Sequence, residues 1–196
     1  MQALSAGQII ILILTEEELY RVFFWLRDRT GWPEYYDDRT ERVESEFRDL
    51  IETFTNNLLF KTIHSGDGSN GNYLEFICFP RGGRIYQAEA IIVSASICAP
   101  VSAYGQIFLD MTSSSEYGTQ YGTGTLKPEA VGIITDQGLV YIEKEIKAIL
   151  KRFNFEIIDN EFASKLLPTE VENYLRNGDA YRGNQYFHGI FQLLEW

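Results

Sequence analysis

A chain of 196 residues, 45% hydrophobic and 14% aromatic, is the size of one domain and holds enough apolar material for a sizeable core, which excludes wholesale disorder. Its 28 acids against 17 Lys and Arg give a formal charge of -11. That sign is wrong for replacing phosphate counterions on nucleic acid or for docking on anionic lipid, and right for attracting a basic protein at long range.

The apolar run at 8–14, QIIILIL, is too short to span a bilayer. No basic stretch precedes it and it runs into Glu16-Glu17-Glu18, so it reads as a buried strand rather than a signal peptide. Thr15 with Glu18 forms a capping box that opens a helix over about 16–29, which should stop near Thr30-Gly31 ahead of Pro33. A second helix is expected over about 38–56. There Val43, Phe47, Leu50, Ile51 and Phe54 make one apolar stripe, and Glu41, Arg42, Glu44, Glu46, Arg48, Asp49 and Glu52 take the other face.

A strand is expected over 58–63, followed by a loop at 64–71. The stretch 72–110 is rich in β-branched and aromatic residues, with breaks at Pro80-Arg81-Gly82-Gly83 and Pro100-Val101-Ser102, and reads as a central antiparallel meander. Next comes TSSSEYGTQYGTGTLK at 112–127, nearly free of charge and repeating Tyr-Gly-Thr. It reads as a long recognition loop, with a polar edge hairpin as the alternative. Further on, a strand is expected at 131–135, a helix at 139–153 and a strand at 155–158. The capping box at Thr169 and Glu172 opens a short helix at about 170–176, and 186–194 reads as a last strand. The elements together predict one α+β domain over 1–196, an antiparallel or mixed sheet with helices packed against it.

Catalytic signals are weak. Gly66-Asp67-Gly68-Ser69-Asn70-Gly71 has the spacing of a dinucleotide loop, but a strand pattern follows where the pyrophosphate would need a helix N-terminus. His64 and His188 are far apart and, with Cys78 and Cys98, lack the short spacings of a structural zinc site. The two cysteines sit in apolar strand patterns and read as small buried hydrophobes, although a bridge between them is open. Glu75, Glu89 and Asp110 interrupt apolar strands, and Glu75 is placed on a partly covered side. No metal, cofactor or catalytic set is expected.

Binding signals are better. Trp32, Tyr35, Tyr36 and Asp37 combine aromatics and acid just before the charged helix, where Glu41 and Glu44 continue the acidic face. Such aromatics suit interface anchors. Tyr117 and Tyr121 offer amphipathic rings in the glycine-rich segment. The expected function is therefore that of an acidic cytoplasmic protein that binds a basic protein partner, as immunity proteins and inhibitors of toxic enzymes do. The rival readings are a small-molecule binder or hydrolase with a pocket between sheet and helices roofed by 112–127, and a structural subunit of an assembly.

Overall fold

The computed structural model describes residues 36–67, 73–82, 88–97, 100–115, 118–123, 126–167, 169, 172 and 183–191, with backbone alone at 36–40, 65–67, 110–115 and 118–123. The strand expected at 8–14 and the helix at 16–29 lie outside these residues, as does most of the helix at 170–176.

Helices α1 (Tyr36–Glu46) and α2 (Arg48–Thr55) realise the expected 38–56 helix in two pieces. At the joint, Phe47 sits at φ -106 and ψ 14, off helical geometry. The hydrogen bonds Phe47 N to Val43 O and Ile51 N to Phe47 O nonetheless carry the turn through. The apolar stripe is thus unbroken: Val43, Leu50 and Phe54 are buried, and Phe47 and Ile51 are half-buried beside them.

Strands β1 (Phe60–Asp67), β2 (Tyr73–Pro80), β3 (Ala88–Ser96), β4 (Val101–Ser115) and β5 (Gly118–Thr123) form an antiparallel meander in sequence order. The glycine-rich segment begins inside β1, where Gly66 pairs with Glu75, and the next element is β2 rather than a helix. Helix α3 (Val140–Arg152) then leads to β6 (Glu156–Ile157), which lies parallel to the start of β4 and makes the sheet mixed. Helices α4 (Asn160–Ser164) and α5 (Tyr186–Ile190) follow. Asp159 caps α4 by accepting from the Phe162 N–H at 2.8 Å.

Because side chains alternate along a strand, the sheet has two apolar faces, and both are covered. On one, Leu74, Phe76, Cys78, Ile91, Val93 and Tyr104 meet α1, α2 and α3. On the other, Ile77, Phe79, Ala90, Ile92, Ala103, Ile107 and Leu109 meet α4, α5 and the segment around Leu126 and Val131. Phe54 of α2 stacks on Phe76 with centroids 4.3 Å apart, and His64 stacks on Phe76 at 5.0 Å. Cys78 is buried in this layer, and burial raises its thiol pKa far above the usual range despite a contact with Thr62. It behaves as a small hydrophobe. Cys98 is outside the described residues.

Three expectations are corrected. Of the last strand expected at 186–194, residues 186–190 are instead helix α5, and 192–194 lie outside the described residues: Phe187 and Phe191 fall four residues apart and their rings meet at 5.2 Å against the core. A short apolar run fits either period, and packing chose the helical one. The strand expected at 131–135 is irregular. Its backbone crosses β4 with the main-chain bonds Gly132 N to Tyr104 O and Gln106 N to Ile133 O, too few for a strand ladder. The long loop at 112–127 is largely the β4–β5 hairpin, with Ser113 opposite Gln120 and Ser115 opposite Gly118.

The outer edge of β4 is consequently shared by three segments in turn. β6 covers Val101 and Ser102, the 132–133 backbone covers Tyr104 and Gln106, and β5 covers the stretch from Leu109 to Ser115. An exposed edge is a template for unwanted strand pairing. Here it is taken up piece by piece. Gly105 lets the segment around Leu126 and Ala130 lie close over β4: a Cβ there would lie 2.4 Å from Leu126 Cδ1 and 2.7 Å from the Ala130 carbonyl oxygen.

Candidate functional site

The three helices on the first face form one layer, and the rotation of α3 decides which of its charges are free. At about 100° per residue, Ile142, Ile146, Ile149 and Leu150 aim at the sheet. Glu143 and Lys147 fall on one flank. There the Tyr104 hydroxyl donates to Glu143 Oε1 at 2.7 Å, and Lys147 Nζ lies 2.7 Å from the same oxygen. Glu145 and Arg152 fall on the other flank, toward α2. Asn57 Nδ2 donates to Glu145 Oε1 at 3.2 Å and Arg152 Nη2 donates to Thr53 Oγ1 at 2.8 Å.

Both acids of α3 are therefore engaged inside the layer, while Val140, Lys144, Ala148 and Lys151 are left on the exposed side. That side is basic. Among the described side chains of α1 and α2 the exposed charges are Glu41, Glu44, Glu46, Asp49 and Glu52 against Arg42 and Arg48, and Arg42 lies 3.5 Å from Glu46. Their surface is acidic. The layer is thus an acidic surface beside a basic one, joined by the contacts of Thr53 and Asn57 with α3.

The Tyr104, Glu143 and Lys147 group is the most perturbed polar cluster among the described residues. Burial pushes the Tyr104 hydroxyl pKa up, Glu143 adds to the rise, and Lys147 opposes it. Burial works to raise the Glu143 carboxyl as well. Hydrogen bonds from Lys147 and Tyr104 and the Lys147 charge outweigh that and hold it below the usual carboxylate range. Lys147 is raised, chiefly by its hydrogen bond to Glu143. The arrangement ties α3 to β4, with the lysine ammonium 5.5 Å from the Tyr104 ring centroid.

A second polar hub holds the segment that crosses β4. The Gln106 side chain donates to Glu89 Oε2 at 2.8 Å, and its carbonyl oxygen accepts from Thr135 N, Thr135 Oγ1 and Asp136 N at 2.7, 3.1 and 2.9 Å. Glu89, noted in the sequence as an acid in an apolar strand, is accounted for by this contact. Glu75 is half-buried and shares its face with Ile77 and Phe79, as alternation implied. The Asp110 side chain is outside the described residues.

Those of the expected binding residues that are described lie on separate elements. Glu41 and Glu44 are exposed on α1, which contacts β1 at one edge of the meander. Tyr121 lies in β5, at the opposite end of the strand order. Tyr36 and Asp37 begin α1, with side chains outside the described residues; Trp32, Tyr35 and Tyr117 are outside them altogether. His64 and His188 are on opposite faces of the sheet, His64 against Phe76 and His188 on α5 beside Phe187. Among the described residues no three His, Cys, Asp or Glu side chains come together as a metal site, and no helix is long and apolar enough to cross a membrane.

The basic side of α3 and the Tyr104 cluster were missed in the sequence. Lys144, Lys147 and Lys151 at i, i+3 and i+7 carry a readable signal for the first. Nothing local pairs Tyr104 with Glu143.

No family model matches the chain, and no curated protein or solved structure is significantly similar to it.

Proposed function

We propose that this chain works by binding another protein in the cytoplasm, and that the acidic outer surface of α1 and α2 receives a basic patch on that partner. An immunity or inhibitor role, in which the chain neutralises a basic toxin or enzyme, is the reading that suits this surface and the charge of -11. The observation that carries it is the segregation on α1 and α2: the apolar stripe is buried in the core while Glu41, Glu44, Asp49 and Glu52 are all exposed. Clustered charge of one sign raises the encounter rate with an oppositely charged partner and suppresses wrong partners, more than it adds affinity.

The test compares the wild-type chain with Glu41→Lys/Glu44→Lys/Glu52→Lys as bait at low and high salt. A partner captured by the first is then purified and titrated directly against both. Expected are a partner with a basic surface, association slowed at least about tenfold in the variant, and weakening by salt. Equal association rates for the two baits with the same partner refute the reading.

A further inference from the structure

The two-sided charge of the helical layer has a property the partner hypothesis does not use. Rotated by a twofold axis, the layer is complementary to itself. The acidic surface of one copy, Glu41, Glu44, Asp49 and Glu52, then faces the basic side of α3 in the other, and the reverse contact is made at the same time. A closed symmetric pair needs only this kind of self-complementarity. We infer that two copies of this chain associate through α1, α2 and α3, with Glu41 and Glu52 of one copy set against Lys144 and Lys151 of the other.

Several observations favour a second copy over an unrelated acidic partner for the basic side. The charges of opposite sign lie on one continuous layer, because Thr53 meets Arg152 and Asn57 meets Glu145 across the α2–α3 junction. The acids of α3 that would spoil the complement, Glu143 and Glu145, are occupied by Tyr104, Lys147 and Asn57. The basic side also carries apolar surface. Val140 and Tyr141 are 43% and 44% exposed at the start of α3, and Ala148 is exposed one turn before Lys151. That matters because exposed ion pairs alone contribute little, and a lasting contact needs some apolar area at its centre. The association is accordingly weak and salt-sensitive. A basic partner competes with the second copy for Glu41 and Glu52, so pairing keeps the acidic surface covered until such a partner arrives.

The experiment uses the purified full chain alone, so its failure leaves the partner reading standing and the failure of that reading leaves this one standing. Sedimentation velocity over a concentration series is run at about 0.1 M salt, where charges act over about 10 Å and the overall repulsion between two copies of charge -11 is largely screened, and at about 1 M, where they act over about 3 Å. Lys144→Glu/Lys151→Glu and Glu41→Lys/Glu52→Lys are run singly and as an equimolar mixture, each checked for native secondary structure by circular dichroism. Expected are a dimer of the wild type at low salt that dissociates at high salt, each variant weakened more than about tenfold, and a dimer regained in the mixture, where every reversed charge meets its opposite. A wild type that stays monomeric at low salt, a dimer indifferent to both reversals, or a mixture that stays monomeric overturns the inference. The salt response of the wild type decides the matter even where a variant does not fold.

Discussion

Tyr104 near the start of β4 and Glu143 on α3 are joined by a 2.7 Å hydrogen bond that spans the boundary between sheet and helix layer. With Lys147 on the same carboxylate oxygen, it ties α3 to the sheet at the side of a boundary that Leu139, Ile142, Ile146 and the inward side chains of β2 and β3 otherwise make apolar. Bonds to a charged group contribute roughly 1.5–3 kcal/mol. Glu143 keeps Lys147 when the hydroxyl is removed, so Tyr104→Phe should lose about 1–2 kcal/mol in denaturant melts near neutral pH. A loss below about 0.5 kcal/mol, ordinary for a surface change, would mean that water replaces the bond.

The same link sets a pH window. The Glu143 pKa is lowered in the folded chain, so its contribution is present above the unfolded value and is lost as pH falls through the folded one. Lys147 and Tyr104 are raised, so their contributions are present below their unfolded values and are lost as pH rises through the folded ones. Melts of wild type and Glu143→Gln should differ most at neutral pH and converge in acid below the usual carboxylate range. A difference that persists unchanged into strong acid contradicts this.

Phe54 and Ile146 are both fully buried on the same side of the sheet, one from α2 and one from α3. Phe54→Ala should lose roughly 3–5 kcal/mol and Ile146→Ala roughly 2–5 kcal/mol. Phe47→Ala, at the half-buried joint of α1 and α2, should lose less than either. If its melt shifts further than that of Phe54→Ala, the joint is more central than its burial indicates.

Gln106→Leu removes the acceptor for two backbone N–H groups, those of Thr135 and Asp136. Leaving such groups unbonded costs about 1–3 kcal/mol where water is excluded. Both amides should exchange with solvent faster in the variant, while those of β2 and β3 hardly change. Unaltered exchange at 135 and 136 shows that the Gln106 side chain does not hold the segment.

Gly105→Ala places a methyl group against a backbone carbonyl that cannot swing aside. Overpacking of this kind costs about 1–3 kcal/mol. Crowding at Leu126 alone could be relieved by a rotamer change, so Leu126→Ala in the Gly105→Ala background separates the two. Rescue by that change would put the strain on the leucine and not on Ala130.

Much of the fold was legible because its amphipathic periods are strong. The stripes Val43-Phe47-Leu50-Ile51-Phe54 and Ile142-Ile146-Ile149-Leu150 both found the core, and the meander announced itself by its breaks at Pro80 and Pro100. What was not legible depends on contacts between distant segments. Tyr186 and Phe187 are apolar under either period, and only packing against Phe162 and Phe191 makes them helical. The residues 131–135 have strand composition, but β6 and β5 already occupy β4 on either side of the short stretch they cross. In the candidate site, Glu41 and Glu44 were readable as a solvated face. The lysine spacing on α3 was readable too, but that its acids are already in use depends on contacts with the distant Asn57 and Tyr104.

The order in which β4 acquires its neighbours has a consequence for biosynthesis. Chains grow from the N-terminus, and the meander β1–β5 is synthesised before any residue of β6. Until residues 156–158 follow, the carbonyls of Pro100 and Ser102 at the start of β4 lack the bonds that Glu156 N and Ile158 N will later donate to them. A nascent or truncated chain ending at Arg152 thus carries α3 and every strand of the meander, yet presents a sticky end at Val101 to other unfinished chains. Adding residues 156–158 closes that stretch of edge, so six residues beyond α3 decide whether the start of β4 is paired.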